Sequence, residues 1–151
     1  MGERGHNTNL SAEFYILSIL YRLGINAHLT LGNKKSVDIV VENDKELITI
    51  DVKVFKDTSC FPIDNWNKKD KNHFLVFVSF LKRIEDPNVV PDVFIVPSLE
   101  LEDEHKELDG KTIIYKNPKG NRVVVEYNRL KKLGDKYKNK WDFFYNYTNC
   151  T

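Results

Sequence analysis

The stretch SVDIVVENDKELITIDVKVF, residues 36–55, sets two apolar runs on either side of the polar ENDKE. Each run carries an acid among residues that should be buried, Asp38 in the first and Asp51 in the second, with Lys53 two positions further on. Successive side chains of a strand alternate between faces, so Thr49, Asp51 and Lys53 share one side while Ile48, Ile50, Val52 and Val54 share the other. Asp51 and Lys53 then stand ~7 Å apart along one face, close enough for their tips to converge on a common ligand. NDK reads as a tight turn that folds the first run back on the second. Adjacent strands lie ~5 Å apart, so Asp38 reaches Asp51 if the register matches their faces. Two carboxylates held together repel each other, and a cation that prefers oxygen ligands, such as Mg²⁺, makes the arrangement tolerable. The simpler alternative is a pair of edge-strand charges facing water, with Asp38 ending a strand.

Upstream, TNLSAEFYILSILYRLG places Leu10, Phe14, Leu17, Leu20 and Tyr21 at three- and four-residue intervals, after the capping candidates Thr8 and Asn9 and before Gly24. That is the pattern of an amphipathic helix. INAHLTL follows as a short strand that ends at Gly32-Asn33. Downstream, residues 56–72 are polar and broken by Pro62, which predicts a loop or short helical turn. HFLVFVSFL and DVFIVP are short and rich in β-branched and aromatic residues, as expected of strands buried on both faces of the same sheet. ELEDEHKELDG, with six acids against one Lys, reads as a solvated loop or exposed helix. KTIIYK and RVVVEY flank the turn sequence NPKGN as a peripheral hairpin, and YNRLKKLGDKYKNKWDFFYNY reads as mostly helical with an aromatic end. The expected fold is α/β or α+β, one mixed central sheet with flanking helices plus a C-terminal hairpin and helix, in a single domain over 1–151.

The 23 basic and 22 acidic residues nearly cancel, so any case for an anionic partner must be local. Cys60 and Cys150 have neither CxxC spacing nor a His cluster beside them, which argues against a zinc site and a disulfide framework. The first ten residues lack an apolar signal core, His6 stands where a myristoylation signal wants Ser or Thr, and no apolar run approaches a membrane span, so a cytoplasmic location is expected. No triad elbow, phosphate loop or dinucleotide fingerprint is present, and the four histidines share no ligand spacing.

A helix followed by strands carrying D and then D-x-K across a short turn resembles the PD-(D/E)XK nuclease superfamily, which includes many restriction enzymes and the archaeal Holliday junction resolvases. In that resemblance Asp38 matches the first motif acid, Asp51 the second and Lys53 the lysine, while Val37 stands where the motif name wants Pro. Glu13 matches the additional helix acid of the resolvase-like branch, although an acid near a helix N-terminus is also favoured by the dipole alone. The phrase AEFYILSILYRLGINAHLTLGNKKSVDIVV also looks like the opening of bacterial members of the superfamily. The resemblance covers residues 8 to 97 and implies a restriction-endonuclease-like α-β-β-β-(α)-β-β core. It further implies hydrolysis of DNA phosphodiester bonds with Mg²⁺ (or Mn²⁺) held by Asp38, Asp51 and the carbonyl of Val52. Lys53 would orient water or stabilise charge. Many relatives act as two-fold dimers, which makes a homodimer an expectation by analogy. The alternative is a module of the same fold that binds nucleic acid or protein without cutting. Two other literal matches fail on context: Glu104-His105-Lys106, following Pro91-Asp92, lies in a charged stretch without strand alternation, and Asp109-Gly110-Lys111 sits on a turn.

Phosphate contacts need local positive charge. Residues 129–140 hold Arg129, Lys131, Lys132, Lys136, Lys138 and Lys140 against the single acid Asp135, and Lys34, Lys35, Lys68, Lys69 and Lys71 form two further clusters. Trp141, Phe143, Phe144 and Tyr145 could stack on unpaired bases or pack the last helix onto the sheet.

Overall fold

A computed structural model describes residues 2–30, 37–42, 46–55, 60–63, 70–104, 114–116 and 123–144. Helix α1 (Gly2–Arg22) leads into β1 (Ala27–Leu29), β2 (Ile39–Glu42) and β3 (Leu47–Phe55), and then into β4 (Cys60–Ile63), β5 (His73–Ser79) and β6 (Asp92–Pro97). Helix α2 (Ser98–Glu104), the strands β7 (Ile114–Lys116) and β8 (Val123–Glu126), helix α3 (Tyr127–Lys132) and a 3-10 turn at Gly134–Lys136 complete the described elements.

Five strands form the main sheet in the order β1-β2-β3-β5-β6, all neighbours antiparallel except β3 and β5. The expected mixed α+β sheet is present, and β5 and β6 are buried on both faces as their composition predicts. Alternation divides β3 cleanly. Ile48, Ile50, Val52 and Val54 join Ile39, Val41, Phe74, Val76 and Val78 in a core that α1 covers with Ala12, Ile16, Leu17 and Leu20. The opposite face holds Phe55, Leu75, Phe77, Phe94 and Val96 under Leu101 of α2 and Tyr127 and Leu130 of α3. Burial on both sides makes the sheet the main source of apolar stabilisation, at ~25 cal/mol per Å² removed from water.

Three expectations need correction. Helix α1 begins at Gly2, so Thr8 and Asn9 are interior rather than capping residues. Short polar side chains inside a helix can bond a carbonyl one turn back, as Ser11 Oγ does by donating to the Asn7 carbonyl at 2.7 Å. Within the expected loop over 56–72, Cys60–Ile63 is a strand, on the edge of a second sheet ordered β4-β8-β7. An edge tolerates Pro62, which cannot donate to a ladder. The hairpin of β7 and β8 is as expected, but it forms the rest of this second sheet. The region from Tyr127 is not one helix. Helix α3 stops at Leu133, Gly134 and Asn139 take positive φ of 51° and 54°, and between them the chain lies along β6, with Ile95 N–H donating to the Tyr137 carbonyl and Asn139 N–H to the Val93 carbonyl, both at 2.9 Å. Phe144 is buried edge-on to Phe74 at 5.1 Å and Phe143 stacks on the same ring at 6.1 Å, so these aromatics are core rather than a base-stacking platform; Tyr145 lies outside the described residues. No described helix is long and apolar enough to cross a membrane.

Candidate active site

The register of β2 on β3 decides where Asp38 goes. Ile39 pairs with Ile50, Val40 with Thr49, Val41 with Ile48 and Glu42 with Leu47. Asp38 lies one residue beyond this ladder, its N–H on the Ile50 carbonyl and its carboxylate on the Val52 N–H, close enough that its charge bears on Asp51. Lys53 shares the β3 face of Asp51, and its Nζ lies 3.1 Å from Asp51 Oδ2.

The main chain around Asp38 is fixed from two sides. Its N–H donates to the Ile50 carbonyl and its carbonyl accepts from Thr30 N–H, each at 2.9 Å. Thr30 Oγ1 donates to the Val37 carbonyl and, at 3.3 Å, to that of Asp38. The β2 ladder ends at Ile39, and Asp38 Oδ2 accepts the Val52 N–H at 2.8 Å, so the β2-facing main chain of β3 at Val52 meets a carboxylate in place of a strand. In an antiparallel edge a residue's N–H and C=O point the same way, which puts the Val52 carbonyl on the Asp38 side as well.

Electrostatics follow from this crowding. The Asp51 carboxyl is pushed up to about 6, first by burial, against which the Lys53 ammonium pulls it down; a hydrogen bond with Asp38 and the Asp38 charge push it up further. The side chains of Asp51 and Lys53 are 17% and 21% exposed, buried enough to strengthen their interaction and open enough for a substrate to reach. Two acids sharing a hydrogen bond, a main-chain carbonyl beside them and a cost to ionising Asp51 make an oxygen donor set that suits a hard divalent cation. Among the described residues no three His, Cys, Asp or Glu side chains gather to hold a metal.

The other expected site residues lie elsewhere. Glu13 is 7% exposed and lies on α1, the helix that packs on the Ile48–Val54 face of the sheet. Arg129 pairs with Glu126 at 3.3 Å. Lys131, Lys132 and Lys136 are exposed, with Lys136 Nζ 5.2 Å from the Tyr137 ring centre. They belong to the layer over Phe55, Leu75 and Phe77, on the same side of the sheet as Asp51 and Lys53. Lys34, Lys35, Lys68 and Lys69 fall outside the described residues.

One neighbour was not legible in the sequence. His73, 1% exposed, pairs in register with Thr49 on the Asp51 face, its Nδ1 2.7 Å from Thr49 Oγ1. Only the parallel pairing of β3 with β5 brings them together, and nothing local in either strand announces it.

The sequence matches no protein-family model and no curated protein. Among solved structures, the chain is similar to Hjc, a Holliday junction resolvase from the archaeon Archaeoglobus fulgidus, over 83% of this chain and 88% of that one, with a TM-score of 0.49 and 14% identity. It is also similar to a bacterial homing endonuclease, I-Ssp6803I, over 60% of this chain and 63% of that one, with a TM-score of 0.41 and 16% identity. At such identities no residue's role carries over from either protein to this one.

Proposed function

We propose that this chain is a Mg²⁺-dependent nuclease of the PD-(D/E)XK kind that hydrolyses DNA phosphodiester bonds at Asp38, Asp51 and Lys53. The observation that carries the reading is the gathering of these three side chains, with Lys53 Nζ 3.1 Å from Asp51 Oδ2 and the Asp38 carboxylate held at 2.8 Å by the N–H of Val52, the residue between them.

Asp38, Asp51 and the Val52 carbonyl would hold Mg²⁺, and Mn²⁺ could replace it. When bound, such an ion lowers the pKa of water and neutralises the charge that develops on the phosphate. Lys53, paired with Asp51, would stabilise the anionic transition state or orient the attacking water. The Val52 N–H holds the Asp38 carboxylate in place before any ligand arrives, which limits the reorganisation that binding requires. Lys131, Lys132 and Lys136 would supply phosphate contacts on the same side of the sheet, and a two-fold homodimer would present two such sites to a duplex.

Purified protein incubated with supercoiled, linear, branched and single-stranded DNA and Mg²⁺ or Mn²⁺ tests the reading. Cleavage that disappears in Asp51→Ala supports it, and cleavage undiminished in that variant, or none by the native protein on any substrate, overturns it. The absence of a third acidic or imidazole ligand among the described residues favours a second reading, a module of the same fold that binds nucleic acid or protein without cutting. Calorimetric titration separates the two, because the module predicts no Mg²⁺ or Mn²⁺ site that Asp38→Asn removes.

A further inference from the structure

Asp92, at the start of β6, holds both ends of the basic segment 127–138. Its Oδ2 accepts from the Tyr127 hydroxyl at 2.5 Å, and its Oδ1 lies 3.4 Å from Lys138 Nζ. Tyr127 is buried, edge-on to Phe55 at 5.7 Å and to Phe94 at 6.1 Å, so the hydroxyl reaches Asp92 from a ring that is already fixed. At the other end the main chain at Tyr137 and Asn139 is tied to β6. Between the two anchors run Lys131 and Lys132, both exposed.

The sheet relates this segment to the Asp51 site. Lys53 pairs with Phe77, Phe77 with Phe94, and Phe94 with Lys138, a single row across four neighbouring chain segments. Paired residues share a face, and three spacings of ~4.8 Å put the Lys138 backbone about 15 Å from that of Lys53. At ~3.4 Å of rise per base pair, about 15 Å spans some four base pairs of a duplex.

We infer that Asp92 is a positioning residue: by pinning Tyr127 and Lys138 it presents Lys131 and Lys132 as an arm that grips the phosphates of duplex DNA on the side of the sheet that carries Asp51 and Lys53. This rests on the nuclease reading for the site but not for the grip, which is a matter of binding alone. Lys138 is spent on the Asp92 carboxylate and acts as an anchor, while the ammonium groups of Lys131 and Lys132 meet the phosphates. A carboxylate that only stapled the fold would do the same for any substrate; an arm acts only on one long enough to reach it.

The test is binding to a duplex of about 20 base pairs in EDTA across a salt series, followed by cleavage with Mg²⁺ of that duplex and of bis(p-nitrophenyl) phosphate, which cannot reach the arm. Replacing Lys131 and Lys132 together by Ala should lower the slope of log K against log salt by about 2, since each phosphate contact contributes ~0.9. Asp92→Asn and Tyr127→Phe, the second removing only a hydroxyl from a packed ring, should each weaken duplex binding about three- to tenfold and make that slope shallower. Adding either to the Lys131/Lys132 double variant should cause little further loss, because the three changes act through one element. Their loss of cleavage should be at least fivefold larger on the duplex than on the small ester. An unchanged slope in both Asp92→Asn and Tyr127→Phe, equal losses on the two substrates, or no duplex binding by the native protein would overturn the inference. Native protein that binds the duplex with the expected slopes but cleaves neither substrate would instead refute the nuclease reading and leave the arm standing.

Discussion

The Val52 amide donates to the Asp38 carboxylate at 2.8 Å, so the acid that ends one strand satisfies the main chain of the next. Replacing Asp38 therefore has two separable consequences. Asn keeps an acceptor for that N–H, whereas Ala leaves a partly buried donor without one, at a cost of roughly 1–3 kcal/mol. Urea denaturation should show Asp38→Ala less stable than Asp38→Asn by about that amount, with Mg²⁺ binding lost in both. Equal stabilities would mean that the bond contributes nothing.

Asp51 should weaken the fold at neutral pH. Its carboxyl is raised from 3.8 to about 6, so between those values the unfolded chain ionises while the folded one resists. Stability is thus fully present below about 4 and falls as pH rises through about 6, by an amount that cannot exceed roughly 3 kcal/mol for a two-unit shift. Asp51→Asn removes this penalty, which is already net of the Lys53 attraction, and a gain of at least about 1 kcal/mol, or ~2–4 °C in Tm, is expected at pH 7. Thermal melts from pH 4 to 8 should show the native decline flattened in the variant. A lower Tm for Asp51→Asn at pH 7 would contradict this account.

Cation binding should compete with a proton on the same carboxyl. Above about 6 Asp51 is ionised and the proposed Mg²⁺ site is ready. Below it the affinity should fall, approaching tenfold per pH unit, and binding should release a proton. Titration calorimetry in two buffers of different ionisation enthalpy reads that proton directly. Mg²⁺ affinity that is flat between pH 5 and 7 would remove Asp51 from the ligand set.

Glu13 provides a contrast. It is buried on α1, the helix that packs on the Ile48–Val54 face of the sheet. Glu13→Gln, which keeps size and most hydrogen-bonding capacity, is expected to leave Mg²⁺ affinity within about threefold of the native value while Asp51→Asn abolishes it. A loss in Glu13→Gln comparable to that in Asp51→Asn would bring the helix acid into the centre.

How much of this was legible depends on the distance over which each feature is encoded. The shared face of Asp51 and Lys53 follows from two-residue alternation and needed only a regular strand. Asp38 lies past the Ile39–Ile50 pairing, and its carboxylate reaches β3 through the Val52 N–H, a contact that strand alternation does not announce. Cys60–Ile63 was missed because Pro62 is a breaker in a central strand and harmless on an edge, and edge or centre is a property of β8 some sixty residues away. Gly134 signals a helix stop by itself, yet the capture of Tyr137 and Asn139 by β6 is a long-range event that no window around them contains.

That capture has a consequence for assembly. With residues 137–139 hydrogen-bonded along β6, the outer strand at the other side of the main sheet among the described residues is β1, only three residues long. Exposed strand edges template aggregation, and short or covered ones resist it. A chain cut back to residue 136 would lay β6 bare beside one of the most apolar strands of the molecule, and it is expected to precipitate or stack through that strand where the longer chain stays dispersed.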